Sequence, residues 1–121
     1  MRPALLLAAL LSLACACGSY EHDAQQRTAN LRAVYPPGRT TRAQVRSRLG
    51  SEPAISRSQP ASGWNEAMVL DVVRATGRSV AMEEEYVLPD ATSFYPTLSR
   101  VWFFWDHDGV LVDVRWGYMS D

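Results

Sequence analysis

Apolar and polar positions divide this chain into stretches with different periods. From Ala4 to Ala14 every residue is small or apolar, and from Gly18 to Arg57 apolar residues are sparse. After Val80 they crowd into runs interrupted by charges. Leu31, Val34 and Tyr35 fall at helical spacing and give a narrow apolar stripe to a polar helix expected over Asp23 to Tyr35, which Pro36-Pro37-Gly38 stops. Thr41, followed three residues on by Gln44, forms a capping box for a second helix. Val45 and Leu49 share one face of it, and Gly50 is placed for the left-handed position after its last turn. Ser51 to Gly63, rich in Ser, Pro and Ala, reads as a surface connection with a short extended piece at Ala54 to Ser56. Glu66 to Thr76 suits a buried helix or a strand, and Gly77 after Arg74 favours the helix.

Three strands are expected at about Val80 to Leu88, Arg100 to Asp106 and Val110 to Trp116. Asp108-Gly109 is the two-residue signature of a type I′ turn and joins the last two as a hairpin. That register places Val101, Phe103 and Trp105 on one apolar face with Val110, Val112, Val114 and Trp116, which is the expected core. The other face carries Arg100, Trp102, Phe104, Leu111, Asp113 and Arg115. The preceding strand adds Glu83, Glu85 and Val87 to that face, and Val80, Met82, Tyr86 and Leu88 to the core. Pro89 to Ser99 is expected as a loop whose Phe94 and Tyr95 either fold back onto the sheet or face a partner. Because an antiparallel sheet can leave one face wet, the expected fold class is α+β, with two or three short helices packed on one face of a three-stranded antiparallel sheet.

The opening apolar run is shorter than the roughly 20 residues needed to span a bilayer. Its basic start at Arg2, apolar middle and small residues at the exit match a secretory signal segment. Leu13-Ala14-Cys15-Ala16-Cys17 resembles the lipobox of bacterial lipoproteins, in which a cysteine thiol receives a diacylglycerol, the preceding bond is cut and the new amine is acylated. The resemblance implies a signal peptide over residues 1–16 and a lipidated cysteine at Cys17, with Cys15 as second choice. A tether over 17–22 and one α+β domain over 23–121 would follow. A plain secreted protein cut near Ala16 is the bland counterpart. Two or three acyl chains anchor stably, since each buried methylene contributes ~0.8 kcal/mol and a single chain binds only marginally. No aspartate follows Cys17, which by resemblance to Gram-negative lipoproteins implies the outer membrane, lipid-anchored and facing the periplasm. The two cysteines are the only ones in the chain, so cleavage before Cys17 leaves no thiol for a disulfide, although disulfides persist in such a compartment.

The 104 residues after Cys17 suit a single domain. They hold eleven arginines, no lysine and thirteen carboxylates, a net charge of −2. Arg27 to Arg57 contains seven arginines and one acid, Glu52, whereas Glu66 onward holds ten acids and four arginines. Either the basic half lies near lipid phosphates, or the two halves pack together and complement each other. The net basic character of a nucleic-acid binder is missing.

Thr41-Arg42-Ala43-Gln44-Val45-Arg46-Ser47-Arg48-Leu49-Gly50, with Pro53 beyond it and an aromatic-rich hairpin at the end, resembles the SmpA/OmlA family of small outer-membrane lipoproteins. That family includes the E-type accessory subunit of the β-barrel assembly machinery. The resemblance implies two short helices with a three-stranded antiparallel sheet, the second helix having the pattern Gly-x-Thr-x-x-x-Val-x-x-x-Leu-Gly-x-Pro. Thr41, Val45, Leu49 and Gly50 match as cap, two core positions and stop. Arg39 stands where the glycine belongs, the proline comes one residue late, and Glu66 to Gly77 is an extra element. About thirteen residues carry the motif, and it encodes structure.

Asp106-His107-Asp108-Gly109 places carboxylate, imidazole and carboxylate at a hairpin tip. Calcium needs six to eight oxygen ligands and usually a glutamate at position twelve of the loop, where Gly117 stands. Zinc needs three or four convergent ligands, and the only other histidine, His22, lies near the tether. Turn chemistry is therefore the expected role, and no cofactor or metal is implied. Glu83 and Glu85 share a face, with Arg115 or Arg100 across from them as ion-pair partners, whereas adjacent glutamates point to opposite faces. Trp116 is expected in the core and Trp64 over the helix layer. The expected function is a lipid-anchored binding or accessory structural module, meeting the membrane through its lipidated cysteine and an envelope protein through Trp102, Phe104, Leu111 and Arg115, flanked by Glu83 and Glu85. Rival readings are a small periplasmic hydrolase using His107 with Asp106 or Asp108, and an inhibitor or immunity lipoprotein.

Overall fold

The computed structural model describes residues 19–58, 66–90 and 97–118. In chain order these form helix α1 (Ser19–Val34), helix α2 (Arg42–Leu49), strand β1 (Ile55–Ser58), helix α3 (Glu66–Thr76) and strands β2 (Met82–Asp90), β3 (Thr97–Trp105) and β4 (Leu111–Tyr118). The strands make one antiparallel sheet in the order β1-β2-β3-β4. The α+β class is as expected, but the sheet has a fourth strand and helices pack on both of its faces.

Local chemistry explains most element boundaries. α1 starts at Ser19, so residues 19–22, expected as tether, are already helical; Glu21 in its first turn and Arg32 in its last complement the helix dipole. At α2 the capping box is complete: Gln44 N–H donates to Thr41 Oγ1 at 3.3 Å and Thr41 N–H donates to Gln44 Oε1 at 2.9 Å. Gly50 ends the helix with φ 69° and an N–H bond of 2.9 Å to the Arg46 carbonyl. α3 occupies the expected span, and Gly77 repeats that ending with its N–H on the Val73 carbonyl at 2.8 Å. Among the described residues no helix is long and apolar enough to cross a membrane.

β1, expected only as a short extended piece at Ala54 to Ser56, is a full member of the sheet. Ile-Ser-Arg-Ser is short and mostly exposed, with no apolar alternation. It forms because pairing Ser56 with Glu84 and Arg57 with Glu83 sets a hydroxyl and a guanidinium beside buried carboxylates. The expected loop from Pro89 is also shorter, because β2 and β3 stay in register to Pro89↔Leu98 and Asp90↔Thr97. β1 pairs only Met82 to Glu85, so β2 has a single strand neighbour at Pro89, the edge situation that proline tolerates. Trp64, Phe94 and Tyr95 lie outside the described residues.

The hairpin departs from the two-residue turn. Gly109 N–H bonds to the Asp106 carbonyl at 3.1 Å and Asp106 N–H to the Val110 carbonyl at 2.9 Å, so Asp106–Gly109 form a four-residue turn ending in a left-handed glycine, φ 77°. The Asp106 carboxylate explains the preference, since Oδ1 accepts the N–H groups of Asp108 and Val110, each at 2.9 Å. The register then shifts: Phe104 pairs with Asp113 but Trp105 with Leu111, leaving Val112 as a bulge. Leu111 and Val112 consequently exchange faces relative to expectation. Leu111 packs with Trp105 and Val114, and Val112 with Phe104.

Two apolar layers result. Under α1 and α2, Phe103 meets Tyr35 and Tyr86 edge-on at 5.3 and 5.5 Å and stacks on Trp105 at 5.8 Å, with Val45, Val101, Leu111, Val114 and Trp116 around them. Under α3, Val69 and Val72 cover Trp102, Phe104 and Val112, with Val80 alongside. Val80 was expected in the first layer. α3 is strongly amphipathic, and two large aromatics on an uncovered sheet face would expose too much apolar surface, so the helix closes that face.

The outer edge of β4 is closed without another full strand. Leu111 N–H bonds to the Thr40 carbonyl, Val114 N–H to Asp113 Oδ1 and Trp116 N–H to Thr28 Oγ1. Asp113, 3% exposed, also accepts Arg32 from α1 at 2.8 and 3.0 Å and Arg115 at 3.5 Å, and Arg115 continues to Asp71 on α3. This ionic chain wraps the edge from one helical layer to the other.

Trp102 lies across Gly117. A Cβ there would sit 2.9 Å from Trp102 Cζ3 and 3.0 Å from Cη2, and the indole is held on its other side by α3. Gly117→Ala is expected to destabilise the domain by about 1–3 kcal/mol through overpacking. The urea midpoint measures this, and an unchanged midpoint would show that the indole can move aside.

Candidate functional site

Glu83, Glu84 and Glu85 occupy consecutive positions of an interior strand, and each is at most 1% exposed. The two-residue period sends Glu84 to the α1/α2 side and its neighbours to the α3 side. A buried carboxylate without a counter-charge costs several kcal/mol, so each must be matched. Arg42 of α2 holds Glu84 with two bonds of 3.0 and 3.2 Å, Arg46 reaches it at 3.3 Å and Ser56 donates at 3.1 Å. Burial pushes the Glu84 carboxyl up, but the hydrogen bonds and charge of Arg42, the Ser56 hydroxyl and Arg46 together hold it below the usual range. The Tyr86 hydroxyl is pushed up by burial and by the Glu84 charge, which outweigh Arg46 beside it. On the opposite face Arg57 pairs with Glu83 at 3.2 Å, while Glu85 takes Arg100 at 3.6 Å and the Trp102 indole N–H at 2.8 Å. Arg100 is thus the expected partner, whereas Arg115 is committed to Asp113 and Asp71.

These contacts account for the face expected to meet a partner. Trp102 is 7% exposed, Phe104 and Leu111 are fully buried, Glu83 and Glu85 are 1% exposed, and Leu111 belongs to the opposite layer. Of the six residues only Arg115 keeps appreciable exposure, 24% of its side chain, and it is ion-paired. The surface they were expected to offer is closed by α3.

The hairpin tip is likewise occupied by its own turn. Asp106 Oδ1 takes the two turn amides and Oδ2 takes Arg78 at 2.9 Å. The Val110 amide, outweighing partial burial, together with the Asp108 amide, Arg78 and His107, keeps this carboxyl below its ordinary range. His107 is highly exposed and 3.6 Å from Asp108. Among the described residues no group of three or more His, Cys, Asp and Glu side chains is arranged to hold a metal ion.

A different surface stands open. An open groove of about 710 Å³ lies between the end of α1, the Pro36-Pro37-Gly38 bend and α2, where Val34, Tyr35 and Pro36 form one wall and Arg39, Ser47 and Arg48 the other. Val34 also lines a second concavity of about 240 Å³ that runs back along α1 past Leu31 to Trp116 and Arg27, so the two adjoin at Val34. Among the described residues no carboxylate lines either one. The arginines explain its character. Ion pairs engage Arg27, Arg32, Arg42, Arg46, Arg57, Arg78, Arg100 and Arg115, whereas Arg39, Arg48 and Arg74 have no ion-pair partner among the described residues. Two of those three meet at this groove, with the Arg48 guanidinium 5.6 Å from the Tyr35 ring centroid. The even spread of arginines over Arg27 to Arg57 gave no sequence signal separating these two from the paired ones.

No protein-family model, curated protein or solved structure matches this chain.

Two outcomes follow from the buried charges and aromatics. Phe104→Ala is expected to destabilise the domain by about 3–5 kcal/mol, because it removes a fully buried ring from under α3; a loss below 1 kcal/mol in urea unfolding would contradict that packing. Because the folded-state pKa of Glu84 is depressed, its contribution is fully present above the ordinary glutamate value near ~4.3. It is lost as pH falls below that value through the folded-state pKa. Stability should therefore fall more steeply between about pH 5 and pH 3 in the parent than in Glu84→Gln, which cannot titrate there. Equal slopes in urea titrations across that window would remove Glu84 as the cause.

Proposed function

We propose that this chain is a lipid-anchored envelope lipoprotein, held at the outer membrane through Cys17 and facing the periplasm, that acts as a binding or accessory structural module for an envelope protein. The observation that carries this reading is the apolar run from Ala4 to Ala14 ending on Cys15-Ala16-Cys17. The architecture behind it supports a binding role. Its buried carboxylates and most of its arginines are spent on ion pairs within the fold, and two of the unpaired cations lie at an open, partly apolar groove.

The likeness to the SmpA/OmlA family belongs to the same proposal. In its favour are the complete capping box at Thr41, the left-handed Gly50, and two helices preceding the antiparallel meander β2-β3-β4. β1 and α3 are additions to the architecture that the resemblance implies.

Mass spectrometry of the mature N-terminus tests the anchor. The expected result is an acylated Cys17 as the first residue, with Cys17→Ser shifting the protein out of the membrane fraction. An acylated Cys15 would move the attachment by two residues and keep the address. An unmodified terminus beginning after Ala16 would overturn the lipoprotein reading.

A further inference from the structure

We propose that the groove along α1 and α2 is the docking site for an extended segment of an envelope protein in which acidic residues alternate with apolar ones. This deepens the binding role proposed above and rests on it. Charge decides the chemistry. Eight of the eleven arginines that follow Cys17 are neutralised by carboxylates of this chain. Arg39 and Arg48 are not, among the described residues, and both line a groove with no acid of its own. An arginine held against an aromatic ring with its fork free is suited to a carboxylate, which it can bind through two parallel hydrogen bonds.

Shape decides between a compact anion and a chain segment. From Arg27 to Val34 the smaller concavity follows α1 for about 10 Å at 1.5 Å per residue, and beyond Val34 the larger groove opens onto α2. An extended segment advances ~3.3 Å per residue, so roughly three residues fill the smaller concavity and those that follow enter the groove. Apolar side chains of the segment would meet Val34, 45% exposed, and the half-buried Leu31, while its acids reach Arg39 and Arg48.

Position favours a protein over a lipid surface. α1 starts two residues after Cys17 and is 16 residues long, so the two concavities lie about 12 to 24 Å along the helix from the anchored end. The solvent side of α1 carries Glu21, His22, Gln25, Gln26, Asn30 and Arg32, with only Ala29, Ala33 and the terminal Val34 among them, too little apolar surface for the helix to lie along a membrane.

The test places a photoreactive amino acid at Ser47 in the groove, at Leu70 on the exposed side of α3 and at Ile55 on β1, each in the full-length protein expressed in its own membranes. Crosslinked products are digested and sequenced. The expected result is crosslinking from Ser47 to a protein segment with at least two acids interspersed with apolar residues. Arg39→Glu with Arg48→Glu should reduce it at least tenfold, and Arg74→Glu should leave it within twofold. Crosslinks from Ser47 to lipid, to a second copy of this chain or to a segment without acids would overturn the proposal, as would yields insensitive to the charge reversal. Crosslinks from Leu70 or Ile55 with none from Ser47 would overturn the groove and leave the binding role standing. Crosslinks from none of the three would overturn both.

Discussion

Three adjacent carboxylates in an interior strand impose the condition that shapes this molecule. Glu83, Glu84 and Glu85 cannot all be buried unless positive charge arrives from both sides of the sheet. Arg57 comes from β1, Arg42 and Arg46 from α2, and Arg100 from the neighbouring strand. A one-residue slip of β2 would still set Glu83 or Glu85 before the α2 arginines, so the register is held by the flanking Tyr86 and Met82, which the slip would turn out of the α1/α2 layer. The basic first half and acidic second half of the chain are in this sense two complementary parts of one fold.

The helices and the second-helix cap were legible because their signals are local. Thr41 with Gln44, Gly50 and Gly77 each act within a turn, and the structure places them as the sequence implied. The faces of the hairpin were less legible, since one carboxylate, Asp106, decided the turn and with it the exchange of Leu111 and Val112. β1 was read only as a short extended piece, because four mostly polar residues carry no period and gain their place from the glutamates opposite them. Of the expected binding residues, Trp102 and Phe104 lie on the sheet face to which the hairpin register assigned them. What covers them is α3, a helix expected on the other side of the sheet. Glu84 was detectable in principle, as a charge on the face that alternation assigns to the core.

The same arithmetic of charge points to the groove. Ion pairing that consumes most arginines leaves three among the described residues, and two of them, nine positions apart in sequence, line one groove. α2 thereby does two jobs on opposite sides: Arg42 and Arg46 fasten it to the sheet, while Arg48 is directed outward beside Tyr35. The fastening is what makes the outward side a rigid wall.

The closed edge of β4 has a bearing on crowding. Sheets join edge to edge, and a growing ribbon needs two free edges on every member so that each newcomer offers a site to the next. Here the outward N–H groups of Leu111, Val114 and Trp116 are taken by Thr40, Asp113 and Thr28. Strand addition through β1 is therefore favoured over addition at β4, where a newcomer would first have to displace those three bonds. For molecules concentrated in the plane of a surface, where encounters between like copies are frequent, a sheet with one edge already bonded offers a growing ribbon fewer places to extend.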